Sequence, residues 1–282
     1  MSRINQSMRS SLVGPLVSRL RSGLTVQDLN ALIKSLFSSG EQGALYVPKP
    51  TVNGTQALFQ DAAGTVPVTA DGDPVGRMLD QSGNGNHATQ SVSGRRPVYR
   101  TDGTLHWLEG DGVDDFLKTA GIPQIANDGA GFYFSMGADP AMYSMRVSQY
   151  SAGGDRRGFS TNSSGPQSIQ YLAGASLSSS YNSGLLVDVA TPSSAHVFST
   201  MWEGAGASNE AQINNDSILT ASSALASAGS SFDQEIELFT VNNGLKAVSG
   251  KLYGVFVLDK YLNPAESRAL RSYIASLSGV TL

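Results

Sequence analysis

The chain has 282 residues, of which 40% are hydrophobic and only 15% charged, and it contains no cysteine. The lack of cysteine excludes disulfides, thiolate zinc sites and cysteine nucleophiles, and the net charge of −4 disfavours a general nucleic-acid binder. No apolar run approaches the roughly 20 residues that span a bilayer, and Gly14-Pro15 interrupts the basic N-terminus, so we expect neither membrane insertion nor a signal peptide.

The first 42 residues are predicted to form a helical arm. One helix covers roughly residues 5–21, and a second begins after Thr25, with Leu32 and Leu36 on its apolar stripe. Residues 1–27 contain no acidic residue but four arginines: Arg3, Arg9, Arg19 and Arg21. The two helices either pack on the rest of the chain or dock on another subunit. The uneven charge favours docking on an acidic partner, so these arginines with Leu32 and Leu36 are the predicted partner-binding residues.

From Gly43 onward the sequence consists of short apolar runs separated by Gly, Asn, Asp and Pro clusters. This pattern predicts about a dozen antiparallel strands, and therefore a sandwich or a barrel. Clear strands are Gly131–Met136, His196–Trp202 and Gly250–Leu258, and a hairpin is expected around Asn215-Asp216. A closing helix should begin at Asn263, because Pro264 and Glu266 then occupy the first and third helical positions.

Three segments resemble the laminin-G-like branch of the concanavalin A-like superfamily, as found in phage virion proteins. They are the run Leu79–Ala88 with its SGNGNHA turn, the edge Gly110–Leu117, and the Gly-rich strand Ser249–Val257. Their order along the chain is the order expected for that family. The resemblance implies an all-β jelly-roll sandwich of two antiparallel sheets over residues 43–282, with the helical arm of residues 1–42 outside the family pattern.

The function that this resemblance implies is that of a bacteriophage virion structural protein, displayed on the particle and acting by binding. It would decorate the capsid or form a tail, collar or baseplate appendage, joined to other virion proteins through the arm and assembled as a homo-oligomer. Two alternatives stay open, because the fold does not settle the function. One is an adhesin that binds host surface glycans, and the other is a polysaccharide hydrolase.

Candidate catalytic carboxylates are sparse. Glycanases of this superfamily need two carboxylates on one strand, and Glu235 and Glu237 are the nearest pair, since residues two apart share a strand face. The neighbouring residues do not reproduce the family's Glu-x-Asp-x-x-Glu arrangement. The sequence therefore predicts a protein that is not an enzyme and lacks glycanase activity.

Two kinds of binding site are suggested by residue type alone. Asp71, Asp73 and Asp80 offer carboxylate oxygens in loops, the ligands that calcium takes, although such residues more often stabilise turns. Asp111, Asp114 and Asp115 offer the same alternative. Tyr171 and Tyr181 bracket a Ser-rich loop and are the predicted contacts for a stacked sugar ring.

Overall fold

The computed structural model describes residues 26–122, 130–138, 145–150, 156–161, 168–174, 186–188, 195–202, 208–214, 219–222, 235–240, 247 and 249–282. Within these residues there are two α-helices, α1 (Val26–Leu36) and α2 (Pro264–Ser278). Neither helix is long and apolar enough to cross a membrane. The strands are β1 (Gly43–Tyr46), β2 (Thr51–Val52), β3 (Thr55–Gln56), β4 (Leu58–Phe59), β5 (Arg77–Met78), β6 (Ala88–Thr89), β7 (Val98–Thr101), β8 (His106–Asp111), β9 (Leu117–Lys118), β10 (Ala130–Ala138), β11 (Met145–Tyr150), β12 (Arg156–Thr161), β13 (Ser168–Gly174), β14 (Leu186–Asp188), β15 (His196–Trp202), β16 (Ser208–Ile213), β17 (Leu219–Ser222), β18 (Glu235–Leu238) and β19 (Ser249–Leu258).

The strands form two large antiparallel sheets. The first sheet has the order β17-β16-β15-β10-β19-β8-β7, and β1 pairs with the second half of β19. The second sheet has nine strands in the order β14-β13-β12-β11-β18-β9-β6-β5-β4, so that β18 is its middle strand. The predicted hairpin is confirmed, since β16 and β17 pair antiparallel on either side of residues 215–218.

A hydrophobic core lies between the two sheets. Phe134, Phe198 and Val257 enter it from the first sheet, and Leu117 and Leu238 enter it from the second. Alternate residues of a strand point to opposite faces, so each sheet contributes every second side chain to this core. The prediction of an all-β sandwich of two antiparallel sheets with a C-terminal helix is thereby confirmed.

A second core covers the outer face of the first sheet. Tyr133 and Phe256 project outward from β10 and β19 and pack against Leu270 and Ile274 of α2. Strand β19 is therefore apolar on both faces, which explains its nearly continuous apolar sequence. The start of α2 is confirmed as well, because Asn263 and Glu266 form a capping box and Pro264 is the first helical residue.

Helix α1 belongs to this second core. Leu32, Ile33 and Leu36 are buried there, and the ring of Phe37 lies 5.4 Å from that of Phe256. The prediction that Leu32 and Leu36 anchor a partner is thus wrong, because this chain's own sheet already covers both side chains. The sequence alone does not separate these cases, since an amphipathic stripe fits either surface. The boundary at residue 42 and the role of residues 1–25 in partner binding stay predictions.

The turn into β1 requires glycine. Gly43 has a φ of +142°, and a Cβ atom there would collide with the carbonyl oxygen of Val257 and lie 2.9 Å from its carbon. Both atoms belong to the backbone of the paired strand, so the side chain cannot be accommodated by a rotamer change.

We therefore expect Gly43→Ala to lower the free energy of unfolding by at least about 2 kcal/mol, measured by urea denaturation. The matched control is Gly40→Ala, at a φ of +85° with no atom within 4 Å of the added Cβ. It carries only the cost of the left-handed conformation, about 1–2 kcal/mol. Equal losses in the two variants would show that the contact with Val257 contributes nothing.

Candidate functional site

The middle strand of the second sheet carries two carboxylates on one face. Ile236 and Leu238 point into the core between the sheets, so Glu235 and Glu237 point to the outer face. Two strand rises of about 3.3–3.4 Å separate their backbones. Lys118 of β9 lies directly opposite Glu237, and Ser148 of β11 lies opposite it on the other side.

The two carboxylates lie in different environments. Glu237 is buried, with only 1% of its surface exposed, whereas the side chain of Glu235 is 36% exposed. The Lys118 ammonium contacts both oxygens of Glu235, at 2.9 and 3.0 Å. A buried acid beside a solvated, ion-paired one is the arrangement that lets two carboxyl groups take different roles in proton transfer.

Lys118 is the member of this group that the sequence analysis missed. It lies more than a hundred positions before Glu235, and only the pairing of β9 with β18 brings the two together. No local spacing signals such a contact. The alternation of charged residues with Ile236 and Leu238 did indicate that Glu235 and Glu237 share a face.

Asp80 is a structural residue of the SGNGNHA turn. It is buried, and its carboxylate accepts hydrogen bonds from the backbone amides of Leu45, Ser82 and Asn86 and from the Ser82 hydroxyl. The Asn86 side chain in turn donates to the Gly43 carbonyl at 2.8 Å. The SGNGNHA turn therefore ties this loop to β1.

The predicted calcium ligands are not brought together. Asp71 accepts hydrogen bonds from the Thr101 amide and the Arg100 guanidinium, while Asp73 accepts from the amides of Thr69 and Ala70. Asp71, Asp73 and Asp80 do not form a cluster of metal-binding atoms in the part of the chain that the structure describes. The prediction of one calcium site from this trio is wrong, because each carboxylate stabilises a separate turn.

Asp111, Asp114 and Asp115 do cluster, with carboxylate oxygens within 4.8 Å of one another. Asp114 forms an ion pair with Arg95 at 3.1 Å, and Asp111 caps the turn by accepting amide hydrogen bonds, including one from Val113 at 2.8 Å. Asp115 is only 5% exposed. Burial, followed by the negative charges of Asp111 and Asp114, raises the pKa of Asp115 to about 6. Calcium binding at this cluster stays a prediction.

Replacement of Asp115 should stabilise the protein at alkaline pH. Its pKa is raised above the unfolded value of about 3.9, so the ionised carboxylate destabilises the fold fully above about pH 6 and not below pH 3.9. We expect Asp115→Asn to raise the free energy of unfolding by about 1–3 kcal/mol at pH 8, with the gain disappearing near pH 4. Urea denaturation at pH 8, 6 and 4 measures this.

The matched control, Asp102→Asn, is expected to change the free energy of unfolding in the opposite direction. Hydrogen bonds from the amides of Leu105 and Thr104 lower the pKa of Asp102, so its carboxylate stabilises the fold above the unfolded pKa and that contribution is lost as the pH falls. This variant should be less stable than the wild type at pH 8. A loss of stability in Asp115→Asn at pH 8 would contradict the prediction.

Several predicted contacts fall outside the described residues or stay untested. Tyr171 lies on β13 opposite Phe159 of β12, and Tyr181 lies outside the described residues. Their contact with a glycan stays a prediction. The predicted partner-binding arginines also lie outside the described residues; they are Arg3, Arg9, Arg19 and Arg21.

Comparison with known proteins identifies similar folds but no family. The sequence matches no family model and no curated protein. A GH54 α-L-arabinofuranosidase soaked with a cyclic sulfate inhibitor has a TM-score of 0.59 at 13% identity, over 87% of this chain and 65% of that one. An arabinofuranosidase complexed with arabinofuranosyl-α-1,2-xylobiose has a TM-score of 0.57 at 13% identity, with the same coverage. Trypanosoma rangeli sialidase in complex with sialic acid has a TM-score of 0.54 at 13% identity, over 100% of this chain and 40% of that one.

These comparisons contradict the prediction that the chain is not an enzyme, because the folds it matches are those of glycosidases. The prediction depended on the missing Glu-x-Asp-x-x-Glu pattern, and that pattern is only one way to place two carboxylates on a sheet. At 13% identity the likeness concerns the fold, and the chain spans less than two thirds of the arabinofuranosidase chains.

Proposed function

We propose that this protein acts on carbohydrate as a glycoside hydrolase, with the reaction centred on Glu235 and Glu237 of β18. The observation that carries the proposal is the pair itself: two carboxylates on one face of the middle strand, one buried and one partly exposed. Hydrolysis of a glycosidic bond needs two carboxyl groups on either side of the scissile bond, about 5–5.5 Å apart for retention and about 6.5–9.5 Å apart for inversion.

The environments suggest a role for each residue. Glu237, shielded from water, suits the general acid that protonates the departing oxygen. Glu235 is more exposed, and it suits the role of the carboxylate that attacks the sugar or activates water. Lys118 holds the Glu235 carboxylate by both oxygens, and this contact fixes the direction in which the group points.

The comparisons support carbohydrate as the class of substrate. The matched proteins bear the names arabinofuranosidase and sialidase, and both act on sugars. Furanosides are the first substrates to test, because the match covers a larger share of the arabinofuranosidase chain than of the sialidase chain.

The test is release of 4-nitrophenol from 4-nitrophenyl α-L-arabinofuranoside, and of reducing ends from a panel of plant and bacterial polysaccharides, by the full chain. We expect turnover of at least one substrate, with one anomer dominating the first product seen by proton NMR. The absence of turnover on every substrate, with the protein folded by circular dichroism, would overturn the proposal.

The predicted display on a phage particle, the virion location and the oligomeric state are not addressed by these comparisons, and they stay predictions. A virion protein that hydrolyses host surface glycans would be consistent both with the virion prediction and with the proposed hydrolase activity. Mass spectrometry of purified particles, with the copy number per particle, tests the virion prediction independently of any activity.

A further inference from the structure

A straight row of side chains crosses the outer face of the second sheet, from Glu237 on β18 to Arg77 on β5. The strand register places Lys118 opposite Glu237, Thr89 opposite Lys118, and Arg77 opposite Thr89. An adjacent residue on each of these strands is buried in the core between the sheets, for example Met78 beside Arg77, so the row points outward. Three strand spacings put the backbone of Arg77 about 14 Å from that of Glu237. The row can therefore contact more than one unit of a sugar chain whose scissile bond lies at Glu237.

The charge of Arg77 is not balanced by an ion pair. Its Nη1 donates a hydrogen bond to the Ala63 carbonyl at 3.1 Å. Nε is buried without a hydrogen-bond partner, and the side chain forms no salt bridge in the described part of the chain. Nη2 has no partner in that part either, and it is accessible because Arg77 is only partly buried. The guanidinium therefore keeps N–H groups and a positive charge to offer to a ligand.

His87 supplies a further donor near Arg77. The Asp80 amide donates to Nδ1 of His87 at 3.1 Å, so the neutral ring carries its proton on Nε2. This Nε2 has no hydrogen-bond partner among the residues of the described ranges, and His87 is partly exposed.

The positive charge of Arg77 outweighs the negative charge of Asp80 at the His87 ring. Burial, followed by the charge of Arg77, lowers the pKa of His87, whereas the charge of Asp80 raises it by a smaller amount. The Asp80 carboxylate already accepts four hydrogen bonds from other residues. A negative charge on a ligand would therefore be favoured between Arg77 and His87.

We propose that Arg77 and His87 form a subsite for an anionic group, carboxylate or sulfate, on a glycan chain that is cleaved at Glu235 and Glu237. A guanidinium binds such a group through parallel, charge-assisted hydrogen bonds, and the imidazole N–H adds another donor. Phe59 of β4 lies opposite Arg77 and is partly exposed, so it offers apolar surface to the C–H face of the sugar. This subsite presupposes the proposed hydrolase activity, and it selects acidic over neutral polysaccharides as the substrate class.

The experiment measures binding, so its result does not depend on turnover. It uses the full chain with Glu237→Gln, which slows hydrolysis of the probe. Proton NMR follows the ring resonances of His87, which is one of three histidines in the chain and can be assigned with His87→Gln. The probes are a galactose trisaccharide, a galacturonic acid trisaccharide and a sulfated galactose trisaccharide.

We expect both anionic trisaccharides to shift the His87 resonances saturably and to bind at least about tenfold more tightly than the neutral one. The pKa of His87 should rise in either complex, because a neighbouring negative charge favours the protonated ring. If only one anionic probe binds in this way, the group that the subsite takes is identified as carboxylate or as sulfate.

Arg77→Gln separates the effect of the charge from that of the surrounding surface. It should weaken the binding of the anionic trisaccharides about tenfold and leave that of the neutral one unchanged. Arg77→Lys keeps the charge and should weaken them less. Arg268→Gln is the matched control, because it removes the same charge from an exposed position on α2, on the opposite side of the sandwich. It should leave all three affinities unchanged.

Equal affinities for the neutral and anionic trisaccharides, unshifted His87 resonances, or equal effects of Arg77→Gln and Arg268→Gln would each overturn the proposal. Acetate binding as tightly as the galacturonic acid trisaccharide would also overturn it, because the site would then take any free anion. Binding of the anionic probes without turnover by the wild-type chain would support the subsite and contradict the hydrolase activity. Turnover without any preference for acidic substrates would contradict the subsite alone.

Discussion

Glu237→Gln is expected to reduce the turnover of a glycoside substrate about 10²–10⁴-fold, the range that a general acid contributes. The amide keeps the shape of the side chain but cannot transfer a proton. The loss should be in kcat for a substrate with a poor leaving group, and it should be much smaller for a 4-nitrophenyl glycoside, whose leaving group needs little protonation. Initial rates on the two substrates measure the difference.

Glu235→Gln tests the second carboxylate. It should reduce the turnover of both substrates, because the attacking or activating group is needed whatever the leaving group. Glu109→Gln is the control, since Glu109 lies on the first sheet and pairs with Arg100 at 2.8 Å. If the Glu109 variant loses as much activity as the Glu235 and Glu237 variants, the assignment to β18 fails.

Leu36→Asp is expected to destabilise the fold rather than to release the protein from a partner. Leu36 is 1% exposed and packs in the core beneath α1 and α2. Burying a carboxylate there and leaving a cavity should cost at least about 4 kcal/mol, a large part of the 5–15 kcal/mol by which a domain is stable. Thermal denaturation should show the midpoint falling by about 10 °C or more.

The matched control is Ala31→Asp, on the exposed side of the same helix. This substitution introduces the same charge and a similar change in helix propensity, so its midpoint should fall by only a few degrees. If Leu36→Asp were as stable as Ala31→Asp, α1 would not contribute to the core, and Leu36 would again be available to a partner.

The sequence predicted the architecture where local patterns are strong. Strand β15 spans His196–Trp202 as the alternation indicated, and α2 begins where Asn263 and Glu266 form its capping box. The packing of α1 on the first sheet was one of the two alternatives that the sequence left open, and one signal pointed to it. The run Leu252–Leu258 is apolar at nearly every position, and a strand of that kind is covered on both faces.

The candidate sites were less predictable, because they depend on contacts between distant segments. Glu235 and Glu237 were recognisable as a pair from their spacing, but the burial of Glu237 and the contact with Lys118 come from the sheet. Arg77 gave no sequence signal at all, because only the pairing of β5, β6, β9 and β18 places it in line with Glu237.

The pairing of β1 with β19 constrains how the chain can fold. Gly43 lies opposite Leu258 and Tyr46 opposite Val255, so one of the earliest strands completes its ladder only against one of the last. Such non-local pairing is slow, because the chain between β1 and β19 must close into a very long loop. The conformational entropy lost in this closure is compensated only when the contacts between the two strands form. During synthesis, the edge of β1 that faces β19 stays unpaired until residues 255–258 have left the ribosome, whereas the Leu45 amide and the Gly43 carbonyl can already pair with Asp80 and Asn86. Until then, this open edge is able to pair with another chain.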